Sequence, residues 1–216
     1  MSFLNQYPLL KIIRELAQKR RLEVFLVGGF LRDFAIGRPC DDFGFAVNRN
    51  AIALARAFAK KVKGAFVLLD EEHGCARVVK KERGGPRTYD FADYRAQTLR
   101  KDLWHRDFTI NTLVVDIGAC PADAELEDIV QDYRKAWPDI RARRIRMASV
   151  KVFQEDPLRI LRAFSLKAAL GFEMDARTRQ QICKDKDLLR DVSPERVRDE
   201  LFKILQTNVA ARILKE

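Results

Sequence analysis

The chain has 216 residues and a mass of 25.0 kDa, and its 47% hydrophobic content supports a packed core for one large domain or two small ones. No apolar run approaches the roughly 20 residues of a membrane span, and the N-terminus lacks the pattern of a signal peptide. The four cysteines are widely spaced and the two histidines are too few for a zinc site built with them. We therefore expect a reduced, cytoplasmic protein with no membrane partner.

The charge balance is strongly basic. Lys and Arg number 41 against 31 for Asp and Glu, which gives a formal net charge of +10. Nucleic acid is the commonest partner for such a balance, and an anionic membrane surface is the second. A basic surface without a particular partner is the alternative. The sequence indicates no oligomeric state.

Predicted helices and strands alternate in the first part of the chain. Helices are predicted over 8–21 and 52–62, and strands over 23–27, 41–47, 65–69, 75–80 and 88–94. After Asp139 the periodicity becomes helical, over 156–172, 175–189 and 193–205, with Asp156, Asp175 and Ser193 as predicted N-caps. The pattern predicts an α/β head followed by an all-helical second part.

A glycine pair follows the first predicted strand. Gly28 and Gly29 stand between that strand and a short helix, where backbone N–H groups can approach an anion. Arg32, one turn into the helix, would add positive charge at the same phosphate. A plain turn is the more frequent explanation of such a pair.

Two carboxylates lie on different predicted strands. Asp42 and Asp90 could converge on Mg²⁺, which prefers oxygen ligands. Because side chains alternate along a strand, a second carboxylate for the same face belongs at position 44, which is Gly44, whereas Asp41 faces the other way. A salt-bridged surface explains Asp90 equally well.

The segment "DLWHRDFTIN" (102–111) brings three polar residues together: Arg106, Asp107 and Asn111. On a helix, Asp107 and Asn111 would share a face, although "FTINTLVV" also fits a strand. The trio suits recognition of a sugar hydroxyl, and a capped helix start is the simpler explanation.

The segment "EDPLRILR" (155–162) has two interpretations. Asp156 can be an ordinary N-cap, with Arg159 and Arg162 on a solvated helix face. Alternatively, an Asp acceptor beside an Arg donor complements the edge of a base such as cytosine.

Six segments occur in an order that resembles the bacterial tRNA nucleotidyltransferase and poly(A) polymerase family, of the class II CCA-adding type. They are "LVGGFLRD", "DDFGFAV", "YDFADYR", "DLWHRDFTIN", "EDPLRILRAFSLKAALGF" and "SPERVRDELFKIL". The resemblance runs from about residue 8 to the end. It implies a polymerase-β-like nucleotidyltransferase head with a small mixed sheet (1–140) and an all-helical neck (141–216).

The resemblance also implies an activity: two-metal, Mg²⁺-dependent addition of CMP and AMP from CTP and ATP to the 3′ end of tRNA, without a nucleic-acid template. It implies a role for each candidate residue. Gly28, Gly29 and Arg32 would bind the triphosphate; Asp42 and Asp90 the metal; Arg106, Asp107 and Asn111 the ribose; Asp156 and Arg159 the base; and Arg162 a phosphate.

Three features depart from the family pattern. Gly44 replaces the second metal aspartate, either by a deliberate change or by natural loss, and is expected to cripple catalysis. Lys135 and Ala136 replace a glycine pair that acts as a hinge between head and neck in the family. The sequence stops at "NVAARILKE", where relatives continue into body and tail domains, so we expect head and neck alone, as a shortened form or a minimal enzyme.

The choice of end product is left open by the sequence. Four residues, 96–99, separate Arg95 from "RKDL", where CCA-adding members often carry a longer loop that CC-adding and poly(A)-adding members tend to lack. The strand "GCARVV" is more similar to that of tRNA enzymes, which favours tRNA over poly(A) addition. A non-catalytic RNA- or nucleotide-binding protein is the alternative from a different class.

Overall fold

The structure, a computed structural model, describes residues 2–82 and 84–215 and divides the chain into two compact units. The first unit comprises Met1–Asp102 and Asn111–Tyr133, and the second comprises Leu103–Ile110 and Arg134–Glu216. Residues 103–110 therefore belong to the second unit, and the chain returns to the first unit at Asn111. The division into functional domains at 140/141 stays a prediction.

The first unit is built on a mixed sheet that, within the described residues, has seven strands in the order β3-β4-β5-β2-β1-β6-β7. The strands are β1 Val24–Val27, β2 Asp42–Val47, β3 Ala65–Asp70, β4 Cys75–Glu82, β5 Gly85–Asp93, β6 Leu113–Asp116 and β7 Gln131–Asp132. The pairing of β2 with β5 is parallel, and the other neighbours in the sheet are antiparallel. The predicted fold class is confirmed.

Among the helices of the first unit, residues 29–35 and 51–62 pack against this sheet, and residues 9–20 pack on 51–62. The helices of this unit are α1 Phe3–Gln6, α2 Leu9–Arg20, α3 Gly29–Ala35, α4 Ala51–Val62, α5 Leu99–Asp102 and α6 Leu126–Ile129. Aromatic rings form the centre of the core: Phe43 stacks on Tyr89 at 5.1 Å between ring centroids, and Phe45 stacks on Phe91 at 4.9 Å. Each stacked pair joins β2 to β5, because these residues are register partners.

The second unit is mainly helical. Its helices are α7 Ala136–Arg141, α8 Val152–Glu155, α9 Arg159–Leu170, α10 Ala176–Asp185, α11 Pro194–Leu205 and α12 Ala210–Ile213. It also contains a parallel pair of two-residue strands, β8 Arg144–Ile145 and β9 Glu173–Met174, besides the predicted helices.

The predicted helix ends are confirmed in part. Asp175 caps α10 by accepting a hydrogen bond from the Thr178 amide at 2.9 Å. Gly171 ends α9 in the left-handed conformation, at φ 66°. The N-cap predicted at Asp156 is wrong, because α9 begins at Arg159 and a turn over residues 157–158 separates the two.

Segment 103–110 is anchored to the rest of the second unit by a buried carboxylate. Asp139, 1% exposed, accepts hydrogen bonds from the Thr109 hydroxyl at 2.6 Å and from both Nε and Nη2 of Arg146 at 3.0 and 2.9 Å. These hydrogen bonds to Asp139 raise the pKa of the Arg146 guanidinium. The Thr109 amide also donates to the Arg146 carbonyl at 2.9 Å, so Thr109 is held through both its side chain and its main chain.

Within residues 2–82 and 84–215, no helix has both the length and the apolar character that crossing a membrane requires.

We expect Asp139→Ala to lower the free energy of unfolding by about 2–4 kcal/mol, because it leaves the buried Thr109 hydroxyl and the Arg146 guanidinium without their acceptor. Urea denaturation measures the change. The control is Asp187→Ala, which removes a carboxylate paired with Arg190 on the surface of the same unit, with both side chains more than 70% exposed. Equal stabilities of the two variants would show that Asp139 is not an anchor.

Candidate active site

The glycine turn stands at the end of β1, beside the strand that carries the candidate carboxylates. Gly28 has φ 98°, a backbone conformation that favours glycine, and serves as N-cap of α3. Val27, the residue before it, is the register partner of Gly44 on β2. The predicted phosphate turn and the predicted metal position are therefore neighbours in the sheet.

Arg32 points back over the glycine turn. A Cβ atom built on Gly29 would lie 3.2 Å from Nη2 of Arg32, so glycine at this position makes room for the guanidinium. The Arg32 side chain is buried and donates to the Asp33 carboxylate at 2.9 and 3.0 Å and to Oδ1 of Asn111 at 2.6 Å. Asn111, predicted to recognise ribose, is thus joined to the phosphate turn.

The candidate carboxylates occupy one face of two adjacent strands. In the parallel register of β2 and β5, Asp42 lies opposite Thr88 and Gly44 lies opposite Asp90. The Thr88 hydroxyl donates a short hydrogen bond to Oδ1 of exposed Asp42. Alternation along β2 sends Phe43 into the core and Asp42 and Gly44 to the other face, as predicted.

Asp90 is held by a cation from the neighbouring strand. Arg77 on β4 is its register partner and donates from Nε and Nη2 to the two carboxylate oxygens at 2.6 and 2.7 Å. This bidentate hydrogen bonding raises the pKa of the Arg77 guanidinium. Of the two interpretations of Asp90, the salt-bridged surface describes its present contacts.

The residues present do not fit a two-metal centre. Gly44 supplies no oxygen, Asp90 is already paired with Arg77, and the described ranges 2–82 and 84–215 contain no cluster of three or more His, Cys, Asp or Glu residues suited to a metal ion. Asp42 is the candidate carboxylate that remains exposed for a cation. A Cβ atom at Gly44 would also lie only 2.9 Å from the Val27 carbonyl oxygen, so any side chain there requires the β1 or β2 backbone to shift.

The ribose candidates are divided between the two units. Arg106 and Asp107 belong to the second unit and Asn111 to the first. Of the helix and the strand that the sequence left open for this segment, neither spans it: residues 103–105 and 109–111 form separate 3₁₀ turns, Phe108 forms an isolated bridge with Met147, and strand β6 begins only at Leu113. Asp107 instead forms an ion pair with Arg162, at 2.9 Å between Oδ2 and Nε, and its charge raises the pKa of that guanidinium.

The two base-recognising candidates have separate partners. Asp156 accepts from Nη2 of Arg196 on α11, at 3.1 and 3.0 Å to its two oxygens. Arg159 is buried and donates to the backbone carbonyls of Val152 and His105 at 3.1 and 2.8 Å. Main-chain carbonyls position the Arg159 guanidinium, and Arg196 positions the Asp156 carboxylate. Both groups therefore have protein partners in the absence of a ligand.

Several partners of these groups were not predicted. Asp33, Arg77, Thr88 and Arg196 each bind a candidate residue directly. Strand alternation and pairing could have indicated Arg77 and Thr88, but only once the order β4-β5-β2 was known. Arg196 lies in "SPERVRDELFKIL", 40 residues from Asp156, and spacing alone gives no sign of that contact.

Two family models match the chain. The model described as "Poly A polymerase head domain" matches residues 24–146, and the model described as "Probable RNA and SrmB- binding site of polymerase A" matches residues 171–216.

Two relatives and one solved structure agree with these family matches. The chain is 40% identical to a CC-adding tRNA nucleotidyltransferase of Geobacter sulfurreducens, over 95% of this chain and 45% of the relative. It is 30% identical to a CCA-adding enzyme of Bacillus pumilus, over 99% of this chain and 52% of the relative. A solved structure of the Thermotoga maritima CCA-adding enzyme complexed with tRNA superimposes with a TM-score of 0.80 at 27% identity, covering 96% of this chain and 49% of that one.

The chain thus spans about half the length of the curated relatives it matches. The head-domain model covers more than half of the chain and contains four of the six motifs, and "SPERVRDELFKIL" lies in the second match. The motif "EDPLRILRAFSLKAALGF" (155–172) lies almost entirely between the two matched regions. With its glycine turn, paired strands and helical second unit, the chain belongs to the poly(A) polymerase head-domain family.

Proposed function

We propose that this chain takes part in nucleotide addition to the 3′ end of tRNA, using CTP and ATP as substrates. The observation that carries the proposal is the register of the sheet, in which Val27 pairs with Gly44 and Gly44 pairs with Asp90. That register sets a glycine turn, whose backbone N–H groups can donate to phosphate oxygens, beside exposed Asp42, which could contact a nucleotide-bound cation. Similarity to proteins named for CC and CCA addition supports the choice of reaction.

The first unit would bind the triphosphate. The backbone N–H groups at Gly28 and Gly29 are suited to phosphate oxygens, and buried Arg32 fixes the turn from behind through Asp33 and Asn111. In the reaction the 3′ hydroxyl of the RNA attacks the α-phosphorus and pyrophosphate leaves, so the protein contributes mainly by positioning and by charge. Mg²⁺, which the family resemblance implies, would accompany the nucleotide and contact Asp42.

The second unit would select the nucleotide. Asp156 and Arg159 offer an acceptor and donors of the kind that pair with a base edge, and each is held by a neighbouring group. Arg162, half-exposed and paired with Asp107, would face a phosphate, while Arg106 and Asp107 would contact the sugar. The pairing of Asp107 with Arg162 connects the proposed sugar contact to helix α9.

We further propose that CMP addition is the principal reaction of this family member. The Geobacter sulfurreducens relative named for CC addition is 40% identical, against 30% for the Bacillus pumilus relative named for CCA addition. The connection between β5 and α5 is also short, residues 94–98, as the resemblance implies for CC-adding and poly(A)-adding members rather than for CCA-adding ones.

A second candidate function is nucleotide or RNA binding without catalysis. Gly44 favours it, because the described residues do not form a two-metal centre. The two candidate functions make different predictions for a carboxylate introduced at position 44. Such a carboxylate increases nucleotide incorporation only if the chain is a catalyst.

The expected product distinguishes the members of the family. A tRNA transcript lacking its CCA end is incubated with CTP, ATP or both, in the presence of either the parent chain or the Gly44→Asp variant. The 3′ ends of the products are then sequenced. We expect ends in CC when both nucleotides are present. Ends in CCA would assign the complete activity instead, and runs of A would assign poly(A) addition.

We expect Gly44→Asp to incorporate CMP about 100-fold faster than the chain as it stands, because an added carboxylate stabilises charge that develops in phosphoryl transfer. Binding of CTP should be similar for the two proteins. Single-turnover extension and equilibrium CTP titration measure these quantities.

Two matched variants separate charge from bulk at this position. Gly44→Ala introduces the Cβ atom that approaches Val27, and Gly44→Asn introduces a neutral side chain with the shape of Asp; both should stay slow. Rates equal to that of Gly44→Asp in either variant, or no difference between Gly44→Asp and the parent, would contradict the proposed metal position.

We expect Asp156→Ala to reduce discrimination between CTP and the other triphosphates by about 10- to 100-fold, because a hydrogen bond to a charged group contributes about 1.5–3 kcal/mol. Affinities for CTP, ATP, UTP and GTP are measured by titration. Asp187→Ala, a surface carboxylate of the same unit, serves as control. If all four affinities change by one factor, Asp156 serves only to hold Arg196.

A further inference from the structure

A cavity of about 470 Å³ lies in the second unit, and its volume is suited to a ligand the size of a nucleotide. Its lining includes Trp104, His105, Arg146, Lys151, Glu155 and Arg177. Among the described residues, this lining does not include the proposed base contacts Asp156 and Arg159, the proposed sugar contacts Arg106 and Asp107, or the proposed phosphate contact Arg162. The proposed nucleotide contacts therefore do not line the cavity, although its lining residues His105 and Glu155 both contact Arg159.

Trp104 gives this cavity an aromatic platform. Its side chain is 51% exposed, which is unusual for the largest apolar side chain. The guanidinium of Arg134 lies over its ring, and Nη2 of Arg134 donates to the Ala148 carbonyl. Burial lowers the pKa of Arg134. The ring is thus covered on one side by an anchored cation and is positioned to stack a base on the other.

The charges around the platform favour an anion. The two lining carboxylates are engaged, Glu155 by His105 and Arg159 and Asp175 by the Thr178 amide that it caps. Among the residues that the structure describes, no carboxylate lies within ion-pair distance of Lys151 or Arg177, both of which are exposed. Lys151 and Arg177 are therefore available to bind an anionic ligand.

The positive charge extends beyond the cavity along the chain. Arg141, Arg143 and Arg144 are exposed and directly precede the lining residue Arg146. A free nucleotide carries its phosphates at one point, whereas a polynucleotide distributes them over a distance that such a run of arginines can follow. The arrangement of an exposed aromatic ring within a cationic groove is the usual one for single-stranded nucleic acid.

We propose that this cavity binds single-stranded RNA, with one base stacked on Trp104 and adjacent phosphates bound by Lys151 and Arg177. The inference rests on the proposed function to the extent that RNA is the substrate, and it specifies where a single-stranded segment of that RNA is held. It requires no contribution from Asp42, Gly44 or Asp156.

The test is binding of a fluorescein-labelled eight-nucleotide RNA ending in ACC, measured by anisotropy with the full chain. Trp104→Ala should weaken binding by about 5- to 100-fold, since stacking of a base on an aromatic ring contributes on that order. Trp104→Phe should stay within about threefold of the parent. Phe202→Ala, which removes another exposed aromatic ring of the same unit (52% exposed), should change nothing.

Two further measurements do not depend on the folding of the Trp104 variants. In Trp137→Phe, Trp104 is the single remaining tryptophan, and its fluorescence should be quenched by saturating RNA. Replacing both Lys151 and Arg177 by Ala should reduce the slope of log K against log salt concentration by about 1.4, since each phosphate contact on a single strand contributes about 0.7.

Three results would overturn the inference: unchanged RNA affinity in Trp104→Ala, no RNA binding by the parent at low salt, or equal losses of RNA and CTP affinity in Trp104→Ala. The last result would assign the cavity to the nucleotide. CTP affinity should instead be unaffected by Trp104→Ala. A failure of nucleotide addition by Gly44→Asp, with RNA binding and quenching intact, would contradict the proposed function and support this site as an RNA contact.

Discussion

The parallel pairing of β2 with β5 is the constraint on which the candidate active site depends. Two stacked aromatic pairs, Phe43 with Tyr89 and Phe45 with Phe91, join the strands on the buried face. Because side chains alternate, burying the rings commits Asp42, Gly44 and Asp90 to the opposite face. A slip of one residue would bury the carboxylates and expose the rings, so core packing and site geometry are specified by the same contacts.

The second unit achieves fixed geometry by a different means, through charged side chains bound to main chain or to each other. Asp139 holds Thr109, Arg162 holds Asp107, and Arg159 donates to the His105 carbonyl. All three ties reach segment 103–110, which has only short 3₁₀ turns of its own. The segment has little regular hydrogen bonding, and these polar contacts replace it.

Periodicity was sufficient to predict the long elements and the fold class. Strand alternation also correctly predicted that Asp41 and Asp42 face opposite ways, as the pairing of Asp41 with Arg87 on the Phe43 face shows. The sequence left residues 102–111 open between helix and strand because a β-branched, polar segment of ten residues satisfies both patterns equally, and tertiary contacts decide its conformation. Partners distant in sequence, such as Arg77 for Asp90 and Arg196 for Asp156, depend on strand order and helix packing that no local pattern contains.

The membership of residues 103–110 in the second unit affects how the chain can fold during synthesis. The first unit includes Asn111–Tyr133, so its sheet is complete only when β6 and β7 have left the ribosome, after segment 103–110 has already emerged. The acceptors and donors that fix that segment, from Asp139 to Arg162, follow it by about 30–50 residues. At about 5–20 residues per second, several seconds pass between the synthesis of segment 103–110 and that of its partners in the second unit. A fragment that ends at the close of the sheet would lack Asp139 and Arg159, the two groups that hold Thr109 and the His105 carbonyl.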